Sequence, residues 1–226
     1  MTTTPSRPQR IAVLGAESTG KTALTVALAD ALRARGLEAV VVPEYLREWC
    51  DRAGRTPEPQ EQRDIAREQA RRVLAVRDAD FVIADTTPLM TAVYSERLFG
   101  DRSLHPFALA HQRQYDLTLL TGLDLPWVPD GIQRDGPHVR EPVDTLLRTA
   151  LHQSGQPWQV IYGHGVARLQ RALDALFFRA LQTHSTPAPD RNPSEATLAH
   201  GRWMALCPHC GDAAAERRLF RGMGRY

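Results

Sequence analysis

The sequence predicts an α/β fold, a three-layer sandwich in which helices cover both faces of a mainly parallel, five-stranded sheet. Three observations predict it. Short apolar runs alternate with longer stretches of helical period, the pattern of strand–helix–strand units with parallel strands. Runs such as FVIAD, from Phe81 to Asp85, lack polar alternation, as strands buried on both faces do. One run leads directly into a glycine-framed loop and an amphipathic helix, IAVLGAESTGKTAL from Ile11 to Leu24.

The elements follow in order. Residues 1–9 read as a flexible N-terminus. A strand over 10–15 precedes a helix over 22–35 that Gly36 closes. A second strand spans 38–43. Residues 59–78 form a long charged helix with Ile65, Ala66, Ala70, Val73 and Leu74 inward. The third strand is 81–85, followed by helices over 89–98 and 106–114. The fourth strand, DLTLLT, covers 116–121 and opens into a polar, glycine-rich stretch to residue 141. A helix over 143–153, a fifth strand over 158–162 and a closing helix over 166–181 complete a domain spanning 10–182. Residues 183–226 change to linker composition and a short tail.

The bulk numbers narrow the function. A chain of 226 residues suits one such domain with an appendage. Hydrophobic content of 42% and charged content of 24% are those of a globular protein with a proper core. A net charge of +2 implies neither nucleic acid nor a membrane as partner, and most arginines are interleaved with Asp and Glu on solvated helix faces. No apolar run approaches the roughly 20 residues of a membrane span. The N-terminal MTTTPSRPQR lacks the apolar segment of a secretory signal. Three cysteines, an odd number, argue against a disulfide framework and place the chain in a reducing cytoplasm.

Gly15, Gly20, Lys21 and Thr22 fit G-x-x-x-x-G-K-[ST], the phosphate-binding P-loop. The glycines let the backbone amides of Gly15, Glu17, Ser18, Thr19 and Gly20 wrap around the polyphosphate of ATP. Lys21 sets an ammonium on the β- and γ-phosphates, Thr22 offers a hydroxyl to Mg²⁺, and the following helix adds the positive end of its dipole. The fold is therefore of the P-loop NTPase kind, and its ligand belongs at the carboxyl ends of the strands.

Polar residues cluster at those ends. Glu44, Tyr45, Arg47 and Glu48 follow the second strand, and Asp85, Thr86 and Thr87 the third. Asp85 reads first as the carboxylate serving Mg²⁺ or its water shell, and Glu44 as the base that accepts a proton from an acceptor hydroxyl. Either carboxylate fits the role of base. The segment WVPDGIQRDGPHVRE, from Trp127 to Glu141, carries Arg134 and Arg140 without apolar period and suits a lid that stabilises charge during transfer. Its alternative is a solvated loop whose arginines pair with Asp130 and Asp135. Trp127 either stacks on a planar ring or packs at the loop base.

GAESTGKTAL, VPEYLREW, the IADTT strand end and YDLTLLTGLDLPWVPDGIQRDGPHVR together resemble the ribosylnicotinamide kinase domain of bacterial NadR proteins, over residues 10–181. The resemblance implies ATP-dependent phosphorylation of the 5′-hydroxyl of nicotinamide riboside; the alternatives are another nucleoside or nucleotide kinase, or a regulatory P-loop ATPase or ATP-binding module. It implies that Tyr45 and Arg47 join Glu44 near the nucleoside, with Trp127 and Asp130 on the same side and Arg134 and Arg140 over the phosphates. The chain is too short to carry the further modules of full NadR proteins, and its tail lies outside the family pattern.

In that tail Cys207-Pro208-His209-Cys210-Gly211 has the form of one zinc knuckle. Tetrahedral Zn²⁺ needs four ligands, so Cys207 and Cys210 would require His200, His209 or a partner chain; otherwise they are two free thiols. Cys50 reads as a packing residue, and His105, His111 and His164 as caps or surface residues.

Overall fold

The computed structural model describes residues 7–128 and 136–183, with side chains through Phe178. The elements are β1 (Gln9–Leu14), α1 (Lys21–Arg33), β2 (Ala39–Val42), α2 (Tyr45–Ala53), α3 (Gln62–Ala75), β3 (Phe81–Asp85) and α4 (Pro88–Phe99). Then come α5 (His105–Gln112), β4 (Leu117–Thr121), α6 (Arg140–Ser154), β5 (Trp158–Ile161) and α7 (Gly165–Thr183), with single 3₁₀ turns at Pro59–Glu61 and Pro137–Val139. The strands form one five-stranded sheet in the order β2-β3-β1-β4-β5. Every neighbouring pair is parallel. The chain crosses from one side of β1 to the other after β3, and the carboxyl end of β1 lies at that reversal.

Alternation along β1 builds two cores. Ile11 and Val13 face α1 and α7, packing with Leu24, Leu28, Leu32, Leu173 and Leu176. Ala12 and Leu14 face the opposite layer, with Leu89, Met90 and Val93 of α4 and Leu147 and Leu151 of α6. The helix layers so formed hold the strands' carboxyl ends on one edge.

Three elements depart from the sequence expectation. Helix α2 has no counterpart in it, because its nine residues bury only Leu46 and Cys50, one turn apart. Those two close a small satellite core with Ile65 of α3. The inward face of α3 carries buried Gln62 and Gln69, while Leu74 is only partly buried. Helix α6 starts at Arg140, three residues ahead of the expected 143, because Pro142 sits in its first turn, where a missing N–H costs nothing.

Candidate functional site

The phosphate loop joins β1 to α1 and is shaped by its own side chains and by β4. A Cβ on Gly15 would stand 1.9 Å from Thr121 Oγ1 and 2.9 Å from Thr19 Oγ1, so only glycine lets the chain pass. The hydroxyls of Thr19 and Thr121 lie 2.6 Å apart. Each also reaches a carbonyl, Ala16 O at 2.8 Å from Thr19 and Leu14 O at 3.1 Å from Thr121, so two protons are shared among three contacts. Lys21 Nζ donates to Ala16 O at 2.9 Å. Gly20, at φ 74°, caps α1 in the left-handed region. Ser18 Oγ donates to Val128 O at 2.8 Å and accepts from Val128 N at 2.9 Å, which ties the loop to the segment after β4.

The two candidate carboxylates lie on the same edge as this loop. Val13 of β1 stands in register with Asp85, and Val42 of β2 with Ala84. Asp85 is 3% exposed and its Oδ1 is buried without a hydrogen-bond partner among the described residues, a donor atom suited to a cation or its water shell. Glu44 caps the N-terminus of α2 in extended conformation, with Oε2 3.8 Å from Arg47 Nε.

A residue missed from sequence holds both strand ends. Gln69 Oε1 accepts from Tyr45 N at 2.7 Å, while Nε2 donates to Thr86 O at 3.1 Å and Pro43 O at 3.4 Å. Tyr45 is also held through its side chain. Its hydroxyl accepts from Arg52 Nη2 at 3.0 Å, and the Arg72 guanidinium lies 4.3 Å above its ring. Arg72 in turn bridges Glu48 and Glu68. Hydrogen bonds from Arg71 and Arg72 hold the Glu68 carboxyl down to about 2. Glu48 is thus part of a surface ion network.

Arg140 is not on a loop. It opens α6 at 8% exposure, with Nε and Nη2 buried and unpartnered among the described residues. Burial pushes its guanidinium below the usual range, opposed by Asp124 and Asp144. Arg168 of α7, another residue missed from sequence, is 4% exposed and is shifted the same way by burial, opposed by Asp124. Both side chains remain cations.

Trp127 is partly buried, and its indole Nε1 is buried without a partner among the described residues. Asp130, Arg134, Cys207 and Cys210 lie outside the described residues. Among the described residues no group of three or more His, Cys, Asp or Glu could hold a metal, and no helix is long and apolar enough to cross a membrane. Cys50 is the packing residue expected, its thiol pushed up to about 11 by burial. His111 is not a surface residue; it is buried against Tyr115, with ring centroids 5.4 Å apart.

Comparisons with known proteins agree with this architecture. A crystal structure of NadR protein in complex with NR is similar in fold, with a TM-score of 0.61 at 21% identity over 76% of this chain and 50% of that one. A second, NadR protein in complex with NAD and AMP-PNP, gives 0.60 at 18% identity over 83% and 52%. The chain thus spans about half the length of these NadR chains. No curated protein matches it. The family model described as AAA domain matches residues 10–168, and the chain belongs to that family of P-loop domains.

Proposed function

We propose that this protein transfers the γ-phosphoryl group of ATP to the 5′-hydroxyl of a nucleoside, nicotinamide riboside before others. The observation that carries the reading is Asp85, a buried carboxylate with an unpartnered oxygen, set one strand away from the phosphate loop and beside the strand that presents Glu44. NTP binding alone does not require a second carboxylate on the neighbouring strand end; transfer to a hydroxyl does. The similar NadR structures, one in complex with NR and one with NAD and AMP-PNP, support a nucleoside and an adenine nucleotide as ligands.

In this reading Gly15, Glu17, Ser18, Thr19, Gly20, Lys21 and Thr22 hold the triphosphate. Thr22 and Asp85 would hold Mg²⁺, which when bound neutralises the phosphate oxygens. Glu44 accepts the proton as the acceptor oxygen bonds to the γ-phosphorus, and the bond to the β–γ bridging oxygen breaks to release ADP. Tyr45, Arg47 and the Trp127 indole lie on the nucleoside side, and Arg140 contributes positive charge. The segment 10–182 carries the activity.

The test is incubation with Mg²⁺·ATP and a panel of nucleosides, with products followed by mass spectrometry. Formation of nicotinamide mononucleotide from nicotinamide riboside, in step with ADP, is the expected result. A different nucleoside as the preferred acceptor would overturn the substrate assignment. ATP hydrolysis indifferent to every nucleoside would overturn the kinase reading.

A further inference from the structure

Arg168 has no place in the scheme above, yet it adjoins the phosphate loop. Its Nη1 lies 3.2 Å from the point where a Cβ on Gly20 would stand. Gly20 is the last loop residue before α1, the end where the helix dipole is positive and where a β-phosphate sits on a P-loop. Arg168 is 4% exposed, with Nε and Nη1 buried and unpartnered among the described residues; Nη2 alone reaches Ile161 O, at 3.3 Å. A buried cation with two unsatisfied donors beside a positive helix end is unfavourable as a packing device, since an apolar side chain of the same length would fill the space at lower cost.

The counter-charge is incomplete. Asp124 attracts both Arg168 and Arg140, but its side chain is exposed and its Oδ2 accepts the backbone N–H of Gly163 at 2.5 Å. Arg140 has Asp144 as a second counter-charge, but Arg168 has the hydrated Asp124 alone, which leaves an excess of positive charge beside Gly20, to which Lys21 adds. An entering diphosphate removes the excess.

We propose that Arg168 is an electrostatic element of the nucleotide site: a fixed, buried cation behind Gly20 that raises affinity for a nucleoside di- or triphosphate, with Asp124 opposing it. The inference rests on the nucleotide-binding reading above and adds to it a residue that acts through charge and need not touch the ligand.

The test is calorimetric titration of the full chain with ADP, over about 50 to about 300 mM salt, for wild type, Arg168→Met, Arg168→Lys and Asp124→Asn. Arg168→Met should bind ADP about tenfold more weakly and with a shallower salt dependence, because one charge has left the site. Arg168→Lys should keep most of the affinity and the wild-type slope. Asp124→Asn keeps an oxygen for Gly163 and should bind about twofold more tightly, with a steeper slope. A purely structural Arg168 predicts the opposite sign at Asp124. In that case both substitutions weaken binding and the salt slope stays unchanged, which would overturn the proposal, as would unchanged ADP affinity in Arg168→Met. Should Arg168→Met not fold, the sign at Asp124→Asn and the salt slope of Arg168→Lys decide. Wild type that binds no ADP would overturn the nucleotide reading itself; wild type that binds, with the wrong variant pattern, overturns only the role of Arg168.

Discussion

The side-chain amide of Gln69 accepts the backbone N–H of Tyr45 at 2.7 Å, and its other end donates to the carbonyl of Thr86 at 3.1 Å. One buried amide therefore joins the residue after Glu44 to the residue after Asp85. Its orientation is dictated, since an N–H must meet the oxygen and two carbonyls the nitrogen. Gln69→Leu leaves the buried Thr86 carbonyl and two part-buried groups, Tyr45 N and Pro43 O, without their partner and should cost at least ~1–3 kcal/mol of stability, the range for one buried group left unpaired. Because both carboxylates shift with their strand ends, turnover should fall more than ATP affinity. Thermal unfolding beside steady-state kinetics checks both. A Gln69→Leu protein as stable and active as wild type would show that the amide positions nothing.

Lys21→Ala should abolish phosphoryl transfer and leave the fold intact. The side chain is half-buried and belongs to neither hydrophobic core, so its loss leaves the packing of both cores in place. Its charge acts most strongly on the transition state, where such a clamp supplies several kcal/mol, or about 10²-fold or more in rate. Turnover within about tenfold of wild type would remove the lysine from the chemistry.

The two carboxylates should separate by phenotype. Glu44→Gln should depress kcat by about 10²-fold with little change in ATP affinity, as for a base acting on the acceptor. Asp85→Asn should instead raise the Mg²⁺ concentration needed for half-maximal rate. Kinetics over a Mg²⁺ series distinguishes them, and exchanged phenotypes would exchange the roles.

What is legible in the sequence is what local chain chemistry decides. The phosphate loop is readable because its glycines, lysine and threonine are required by the local backbone path, and FVIAD because a strand buried on both faces needs no polar alternation. The partners of the loop are not. Thr121 meets Thr19 across 102 residues of chain, and Val128 meets Ser18 across 110. Gln69 and Arg168 sit in helices rich in charge, where the same residues on another face would be solvated; only tertiary packing tells a buried amide or guanidinium from a surface one. Arg140 reads as a loop residue because the segment from Trp127 to Glu141 has no apolar period, whereas α6 begins at Arg140 with Pro142 in a first turn that accepts it.

The Gly15–Thr121 approach yields a paired prediction. Gly15→Ala drives a methyl group onto Thr121 Oγ1, 1.9 Å away, and should impair nucleotide binding by distorting the loop where it leaves β1. Adding Thr121→Ala removes the worst clash, while Thr19 Oγ1 at 2.9 Å and the positive φ of 154° still oppose the methyl and the contacts to Leu14 O and Thr19 are forfeited. The double variant should therefore recover part of the binding lost in Gly15→Ala, a coupling of about 1 kcal/mol or more in a double-mutant cycle of ADP affinity. Additive losses would mean that Thr121 Oγ1 is not what excludes a side chain at position 15.

His111 gives the fold an acid limit. Burial lowers its imidazole to about 4, opposed by the nearby backbone of Ala70 and helped by the like charge of Arg10, and both ring nitrogens are buried without a hydrogen-bond partner among the described residues. The groups around it, Tyr115 in edge contact and Phe107 with its centroid 6.5 Å away, supply no counter-charge. Above pH ~6.5 the residue is neutral in both states and contributes nothing to the pH dependence. Below it the unfolded chain takes up a proton that the folded chain refuses until about pH 4. Stability must then fall as pH falls through that window, by on the order of 3 kcal/mol in total, and level off below it. Urea unfolding between pH ~4 and ~8 should show the decline in wild type and a flatter profile in His111→Phe, whose ring fits an apolar site without titrating. An identical slope in the two proteins would assign the acid sensitivity to other groups.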